Sequence, residues 1–352
     1  MENKVFKKVC QILEQSDGEF YVDRLKNALA EYETFIQSLN FNNKEQIKNS
    51  VSNTIKKIND IVGYYMSGKI SSAYIAFDRW WFTSQKQEED TDFHTEPKPT
   101  KDLRLKFLLK LTLCNKDNET FKENWYRIRK KEGPALYKIK DMFHVPFEMR
   151  GKIGNNRYSL SGYPCLYLGK SILDCWQEMN APALSDCCIS AFRFKSTMKV
   201  LDFRLRVVKA NDLNDYLQIL PLIIACSIPV PARNVNDIFH PEYIFPQFIM
   251  HGIVKGILNH IVDIDGIIYT STKYNLQVKF KVDLFDNLAI PVNKIQKKGF
   301  CSYLKNNIEL TAPKCYENEM LLGNISVSQT QKYEDTIFGQ MEKGFSDFQN
   351  II

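Results

Sequence analysis

The residues best suited to chemistry gather in one stretch of the chain. It runs Arg157-Tyr158-Ser159-Leu160-Ser161-Gly162-Tyr163-Pro164-Cys165-Leu166-Tyr167-Leu168-Gly169 and continues, after Lys170, into Ser171-Ile172-Leu173-Asp174-Cys175-Trp176-Gln177-Glu178. The pattern reads as an arginine-bearing strand, a Gly/Pro turn, a buried strand and then a helix. Ser171 is a good helix N-cap, with the Gly169 turn just before it. Glu178 follows two turns later, beside Cys175 and Met179. A carboxylate among Cys, Trp and Met is partly desolvated and needs a partner. The alternative is a surface glutamate on an amphipathic helix. An arginine and a carboxylate held close on buried elements grip an anionic ligand at one end and a developing cation at the other.

Other side chains offer cations, rings and hydroxyls. Trp125-Tyr126-Arg127-Ile128-Arg129 alternates, so Arg127 and Arg129 share one strand face with Trp125. Two guanidinium groups on one face suit a bidentate grip on phosphate oxygens; the alternative is a solvated edge strand. Tyr167, in the middle of an apolar strand, must satisfy its phenol or stack on something flat. Asp265-Gly266-Ile267-Ile268-Tyr269-Thr270-Ser271 is a further strand, and Ser271 either donates to a ligand or caps a turn. His144 reads as structural. No Ser-His-Asp or Cys-His order is compelling, because His240, His251 and His260 fall on or next to an expected helix.

The elements that must position these groups are legible in outline. Helical 3–4 spacing runs through Leu25, Leu29, Tyr32 and Ile36, and again through Ile47, Val51, Ile55, Ile58, Val62 and Tyr65. Another helix follows Gly68, with Trp80 and Trp81 on it. A polar, proline-interrupted linker is expected over 84–100, after which Leu103–Leu113 resumes helical periodicity. Strands are expected at Trp125–Arg129, Arg157–Leu160, Cys165–Leu168, Ile189–Phe194, Val200–Asp202 and Gly266–Tyr269. Helices are expected at Ser171–Met179, Asp212–Ala225 and Tyr243–Leu258. A final amphipathic helix would show Tyr333, Ile337, Phe338, Met341, Phe345 and Phe348 on one face. Strands and helices mixed without strict alternation predict an α+β fold. The expected division is an α-helical N-terminal domain over 1–115, a catalytic domain over 116–320 and a C-terminal helix over 321–352.

Composition bounds the function. The chain has 352 residues, enough for two or three domains with proper cores. Nine cysteines include no CxxC pair and no regular framework, so they read as small core residues in a reducing cytoplasm. Without close ligand pairs, no metal is expected. There is no GxGxxG and no Walker loop. No signal peptide is expected, and the longest apolar stretch, Tyr216 to Ile228, is interrupted by Pro221 and too short to span a membrane. Residues 101–157 hold 15 Lys and Arg against 7 Asp and Glu, a local +8 that exceeds the whole chain's +6. Such a segment is either a solvated face or a site for a phosphate-bearing partner.

The span from about Trp125 to about Pro291 resembles the RES domain family. The resemblance rests on four blocks in order: Tyr126-Arg127-Ile128-Arg129; Met142-Phe143-His144-Val145-Pro146-Phe147 leading to Arg157-Tyr158-Ser159; Gly162 through Glu178; and Asp265 through Ser271. The family is named for an Arg, a Glu and a Ser, which here would be Arg127 (or Arg157), Glu178 and Ser271. The resemblance implies an ADP-ribosyltransferase-like mixed β core and a cytoplasmic toxin or phage-defence effector that cleaves NAD at the nicotinamide–ribose bond, with water or phosphate as acceptor. NAD would be the substrate, and an antitoxin or inhibitor protein and a homo-oligomer are possible partners. Glu178 would stabilise ribose oxocarbenium character, Arg127 and Arg157 would hold the pyrophosphate with Arg129 in reserve, and Tyr167 or Tyr158 would stack on nicotinamide. Two alternatives stand beside this reading. One is an ADP-ribosyltransferase acting on a macromolecule. The other is a non-enzymatic nucleic-acid-binding protein using the basic segment.

Overall fold

The computed structural model describes residues 2–16, 20–40, 43–82, 110–112, 123–131, 133, 137–234, 236–258, 264–273, 282–316 and 332–351. The linker expected over 84–100, and most of the helix expected over Leu103–Leu113, lie outside them. Four helices come first: α1 (Glu2–Glu14), α2 (Tyr21–Ser38), α3 (Lys44–Met66) and α4 (Ile70–Phe82). Then follow β1 (Lys110–Thr112), β2 (Trp125–Lys130), β3 (Cys165–Gly169), α5 (Ile172–Glu178), β4 (Cys187–Phe194) and β5 (Lys199–Phe203). Two longer helices, α6 (Leu213–Ser227) and α7 (Ile244–Leu258), precede β6 (Gly266–Thr270) and β7 (Asp286–Pro291). The chain ends with α8 (Ser302–Asn307), β8 (Ile308–Thr311), β9 (Lys314–Cys315), α9 (Ile337–Lys343) and β10 (Phe348–Asn350). The fold is α+β. Among the described residues no helix is long and apolar enough to cross a membrane.

The chain divides into two compact units. One comprises Met1–Leu109, Asn155–Tyr158 and Leu205–Asp263; the other comprises Lys110–Gly154, Ser159–Arg204 and Ile264–Ile352. The first is helical. The stripe Leu25, Leu29, Tyr32 and Ile36 of α2 is fully buried, and the Tyr32 hydroxyl donates to the Leu217 carbonyl of α6. Arg24 pairs with Glu242, both almost wholly buried.

The second unit is built on a ten-stranded sheet in the order β1-β5-β6-β7-β3-β2-β4-β8-β10, with β9 also paired to β4. Neighbours are antiparallel except β5 and β6. Each face carries a core. One packs Trp125, Leu166, Leu168, Phe192 and Leu288 against Met142, Phe143 and Phe147. The other packs Tyr126, Ile128, Ile189 and Ala191 against Ile172, Leu173 and Cys175 of α5 and Phe338 and Met341 of α9. The alternation of β2 therefore sends Trp125 and Tyr126 to opposite faces.

Several expectations are corrected. Arg157–Leu160 is not a strand: Arg157 and Tyr158 lie in a turn, and Tyr163 N–H closes another turn on the Leu160 carbonyl. Lys110–Thr112 is strand rather than helix, drawn into the sheet edge against β5. The final helix stops at Lys343, and Phe348 opens β10 on β8 instead of continuing the helical face. Cys188 is not a free core thiol. It lies opposite Cys315 in the β4–β9 register, with Cα atoms 4.3 Å apart, and the two form a disulfide. Cys187 and Cys188 are not bonded to each other.

His144 is structural. Its Nδ1 donates to the Val145 carbonyl at 2.8 Å and its Nε2 accepts the Cys301 N–H at 2.9 Å, which fixes a neutral ring. Burial pushes its pKa down to about 4. The unfolded chain binds this proton near pH 6.5 while the folded chain refuses it until about pH 4. His144 therefore removes stability as pH falls through that window, by roughly 3 kcal/mol in all. Urea unfolding of wild type and His144→Gln at pH 7 and pH 4 will show wild type losing more on acidification. Equal losses would refute the assignment.

Candidate active site

Helix α5 begins with a complete cap. Ser171 Oγ accepts the Asp174 N–H at 3.0 Å and donates to the Leu284 carbonyl at 2.7 Å. The Ile172 N–H donates to Glu342 Oε1 at 2.8 Å, and that same carboxylate accepts the Tyr333 hydroxyl at 2.6 Å. Two of the orphan donors of the first turn are thus satisfied, one by the cap and one from α9. Gly169, the last residue of β3, lets the helix come this close. A Cβ there would lie 2.6 Å from Cys175 Sγ and 3.0 Å from Asp174 Oδ2.

One turn separates Asp174 from Glu178, at the helix's C-terminal end. Glu178 Oε1 accepts the Ser271 hydroxyl at 2.5 Å and the Asn287 amide at 3.1 Å. Ser271 follows β6 directly, and Asn287 is the second residue of β7. The carboxylate is thus held by donors from two neighbouring strands. Lys273 closes the helix end: its ammonium donates to the carbonyls of Gln177 (3.2 Å) and Glu178 (2.7 Å) and to Asn180 Oδ1 (2.7 Å). A cation at a helix C-terminus also meets the negative end of the helix dipole. Asn180 and Ala181 then turn the chain away with φ of 62° and 50°.

Beneath Glu178 lies a buried acidic layer. Burial drives the Asp174 carboxyl well above the usual range, and the charges of Glu178 and Asp286 add to the effect. Ser271 opposes the rise, yet neither Asp174 oxygen makes a well-formed hydrogen bond to the described residues. Burial also pushes Asp286 up to about 7, outweighing the attraction of Arg204. Arg204 grips Asp202 with two bonds of 2.8 Å and reaches Asp286 Oδ2 at 3.0 Å.

The structure brings together some of the residues singled out from sequence. Glu178 and Ser271, 93 positions apart, are in direct contact. Tyr167 lies on the same sheet face, two residues before Gly169 and opposite Ala289 of β7. Arg127 and Arg129 share a face of β2, as expected, but with Trp125 on the side opposite α5. Arg127 donates to the carbonyls of Met142 (3.2 Å) and Phe143 (2.5 Å), and Arg129 to that of Asp141 (2.5 Å). Burial and the neighbouring Arg129 lower the Arg127 pKa to about 10. Arg157 and Tyr158 belong to the helical unit. Arg157 donates to the Cys226 and Ile228 carbonyls at 2.9 and 3.1 Å and lies over the Tyr243 ring.

Three groups around Glu178 escaped the sequence reading: Asn287, Lys273 and Asp174. The i, i+4 spacing of Asp174 and Glu178 was a usable signal for the last. Asn287 and Lys273 carried none, because only the β6–β7 pairing, with Tyr269 opposite Asn287, brings them to the helix end. Among the described residues no cluster of three or more His, Cys, Asp or Glu is placed to hold a metal ion.

Comparison with known proteins finds a relative of this chain. A Bacillus subtilis (strain 168) protein named "Putative toxin YopC" is 29% identical over 332 residues, covering 88% of this chain and 69% of its own. That span is too long to fall within either unit, so the likeness includes helical-unit as well as sheet-unit residues. No family model matches the chain, and no solved structure matches it.

The close approach at Gly169 is directly testable. Gly169→Ala will lower stability by about 1–3 kcal/mol, as expected when a methyl is forced into a packed contact. Urea denaturation will read this as a lower midpoint at unchanged slope. A variant as stable as wild type would mean that α5 is free to move off the sheet.

Proposed function

We propose that this chain is a toxin-type enzyme that consumes NAD by cleaving the bond between nicotinamide and ribose. The observation that carries the reading is the 2.5 Å hydrogen bond from Ser271 to Glu178, which joins the Glu and the Ser of the RES resemblance at the end of a capped helix. The likeness to a protein named as a toxin supports the biological role. An inhibitor protein that blocks the site, and a cytoplasmic place of action where NAD is found, belong to the same reading.

The reaction needs little from the protein beyond placement and charge. The C1′–N bond breaks and its electron pair leaves with the nicotinamide nitrogen, which becomes neutral. Ribose C1′ gains oxocarbenium character, and an acceptor oxygen from water or phosphate then bonds to it, giving up a proton where water is the acceptor. Because nicotinamide leaves as a neutral ring, no strong general acid is required. Glu178 supplies the negative group that opposes the developing cation, and its fixed orientation means that little reorganisation is needed during the reaction. Ser271 fixes that orientation. Tyr167 is the ring assigned to stack on nicotinamide.

The test is NAD consumption by purified protein, with and without phosphate. Glu178→Gln will lower the rate by about a hundredfold or more. Ser271→Ala will lower it by roughly tenfold to a hundredfold, the loss expected for one hydrogen bond to a charged group. Phosphate dependence identifies the acceptor, and transfer of label from NAD to a macromolecule would point to a transferase instead. If wild type leaves NAD intact, and Glu178→Gln arrests growth on induction as strongly as wild type does, the proposal is wrong.

A further inference from the structure

We propose that the Cys188–Cys315 disulfide is a redox-sensitive latch. Closed, it holds β9 where β9 braces α9, and α9 in turn caps the helix that carries Glu178. The inference concerns regulation of the site described above, and its effect on turnover rests on the NAD-cleaving reading. β9 lies on the edge of β4 with two paired residues, Cys188 opposite Cys315 and Ile189 opposite Lys314. Pro313, which has no N–H to give to a ladder, separates it from β8, which pairs with β4 further along at Phe192–Phe194. Two ladder pairs are little to hold a strand in place. The disulfide adds a covalent bond between residues 127 positions apart. The other edge of β4 is paired with β2 from Cys187 to Phe192, so β9 can leave without opening the sheet.

Neighbouring side chains of a strand point to opposite faces. Cys315 packs with Cys188 against one core of the sheet, while Tyr316 and Lys314 meet the α9 side. There the Lys314 ammonium donates to the carbonyl of Gly344, the C-cap residue of α9, and lies 5.1 Å from the centre of the Phe345 ring. Glu342, two residues before Gly344, accepts the Ile172 N–H at 2.8 Å in the first turn of α5. A line of contacts thus runs from the disulfide through β9 and the end of α9 to the start of α5.

Placement and setting make the bond a latch rather than a permanent staple. Cys315 is half-buried on a two-residue edge strand, whereas Cys188 is fully buried. On the reading above the protein meets NAD in a reducing compartment, where the disulfides that do form are usually redox-responsive. A thiolate of a dithiol attacks the Cys315 sulfur, and the Cys188 sulfur leaves as thiolate and takes a proton. The second thiol of the reductant then displaces Cys315. The protein gains two electrons and two protons, and the reductant closes to a cyclic disulfide. It is the one disulfide among the described residues, so a dithiol acts on it selectively.

The experiment is amide hydrogen exchange on the full chain, oxidised, reduced with dithiothreitol and reoxidised, with NAD consumption measured in parallel. Reduction will speed exchange at the Ile172 N–H and in α9 by roughly tenfold to a hundredfold, the range for a lost hydrogen bond to a charged group. Exchange in β2 and β3 will not change, and reoxidation will restore the slow rates. Turnover of NAD will fall by roughly tenfold or more on reduction, the loss that a small misplacement of a catalytic group brings, and will recover with reoxidation. The double variant Cys188→Ser, Cys315→Ser will exchange at the reduced rate with or without dithiothreitol. Lys314→Met keeps the disulfide and will still loosen α9. The wild-type arms decide the question alone if the double variant does not fold. A disulfide that resists dithiothreitol in the folded protein, or reduction that leaves α9 and Ile172 exchange unchanged, refutes the latch whatever the activity. Exchange that responds as stated, in a protein that consumes NAD in neither redox state, leaves the latch standing and removes the functional reading.

Discussion

The site depends on one carboxylate oxygen. Glu178 Oε1 is held by a hydroxyl from the end of β6 and an amide from the start of β7, two strands that lie side by side only because the sheet pairs them. Holding the oxygen in this way fixes the helix that carries it, since Glu178 is the last residue of α5. It also fixes the orientation of the carboxylate. A surface glutamate on a solvated helix would sample several rotamers; this one is pinned from two directions. The other features of the site serve to let α5 lie close enough to the sheet for both bonds to form.

That closeness has an electrostatic cost, and the surrounding residues show how it is met. Packing α5 against the sheet buries Asp174 completely, next to two further carboxylates. Charging all of them in a low-dielectric layer would be prohibitive. Asp174 responds by favouring its neutral form, and Asp286 is shifted the same way despite the Arg204 guanidinium beside it. Both shifts reduce the negative charge that this layer places beside Glu178. The Ser171 cap, the Glu342 carboxylate and the Lys273 ammonium then satisfy donors at one end of the helix and acceptors at the other. A seven-residue helix has little stability of its own, so these end contacts are a condition of its existence.

Much of this architecture was readable in the chain. The 3–4 spacing of α2 and α3, the apolar run of β3, the Ser171 cap and the alternation of β2 each expose a local rule that the fold obeys. Glu178 stood out as a carboxylate beside Cys175, Trp176 and Met179, Ser271 as a hydroxyl at the end of an apolar strand, and the RES resemblance paired the two. What was not readable depends on pairing between distant segments. β7 opens with Asp286-Asn287, which on composition reads as a loop, yet its first two residues are buried because Thr270 and Tyr269 stand opposite them. Cys188 meets Cys315 across 127 positions. Arg157 was expected in a strand leading to the Gly162-Tyr163-Pro164 turn. It is in fact a donor to the carbonyls at the end of α6 and just beyond it, a role that no local pattern encodes.

The arginines sharpen the chemical argument. Reading two guanidinium groups on one strand face as a phosphate grip assumes that their donors face a ligand. In the fold, Arg127 and Arg129 direct donors to backbone carbonyls of the 141–143 segment, where they stitch β2 to the core on the face away from α5. Such carbonyls would otherwise be buried without partners. Sequence spacing thus located the cations correctly on the strand but could not distinguish a structural clamp from a binding group. The α5 face of the sheet instead gathers a carboxylate, an amide, a hydroxyl and a tyrosine ring. That set is poor in charge and rich in oriented acceptors. On the proposed reading it suits a substrate that carries its own cationic leaving group, because that reaction asks for orientation and one opposing charge rather than for a strong acid.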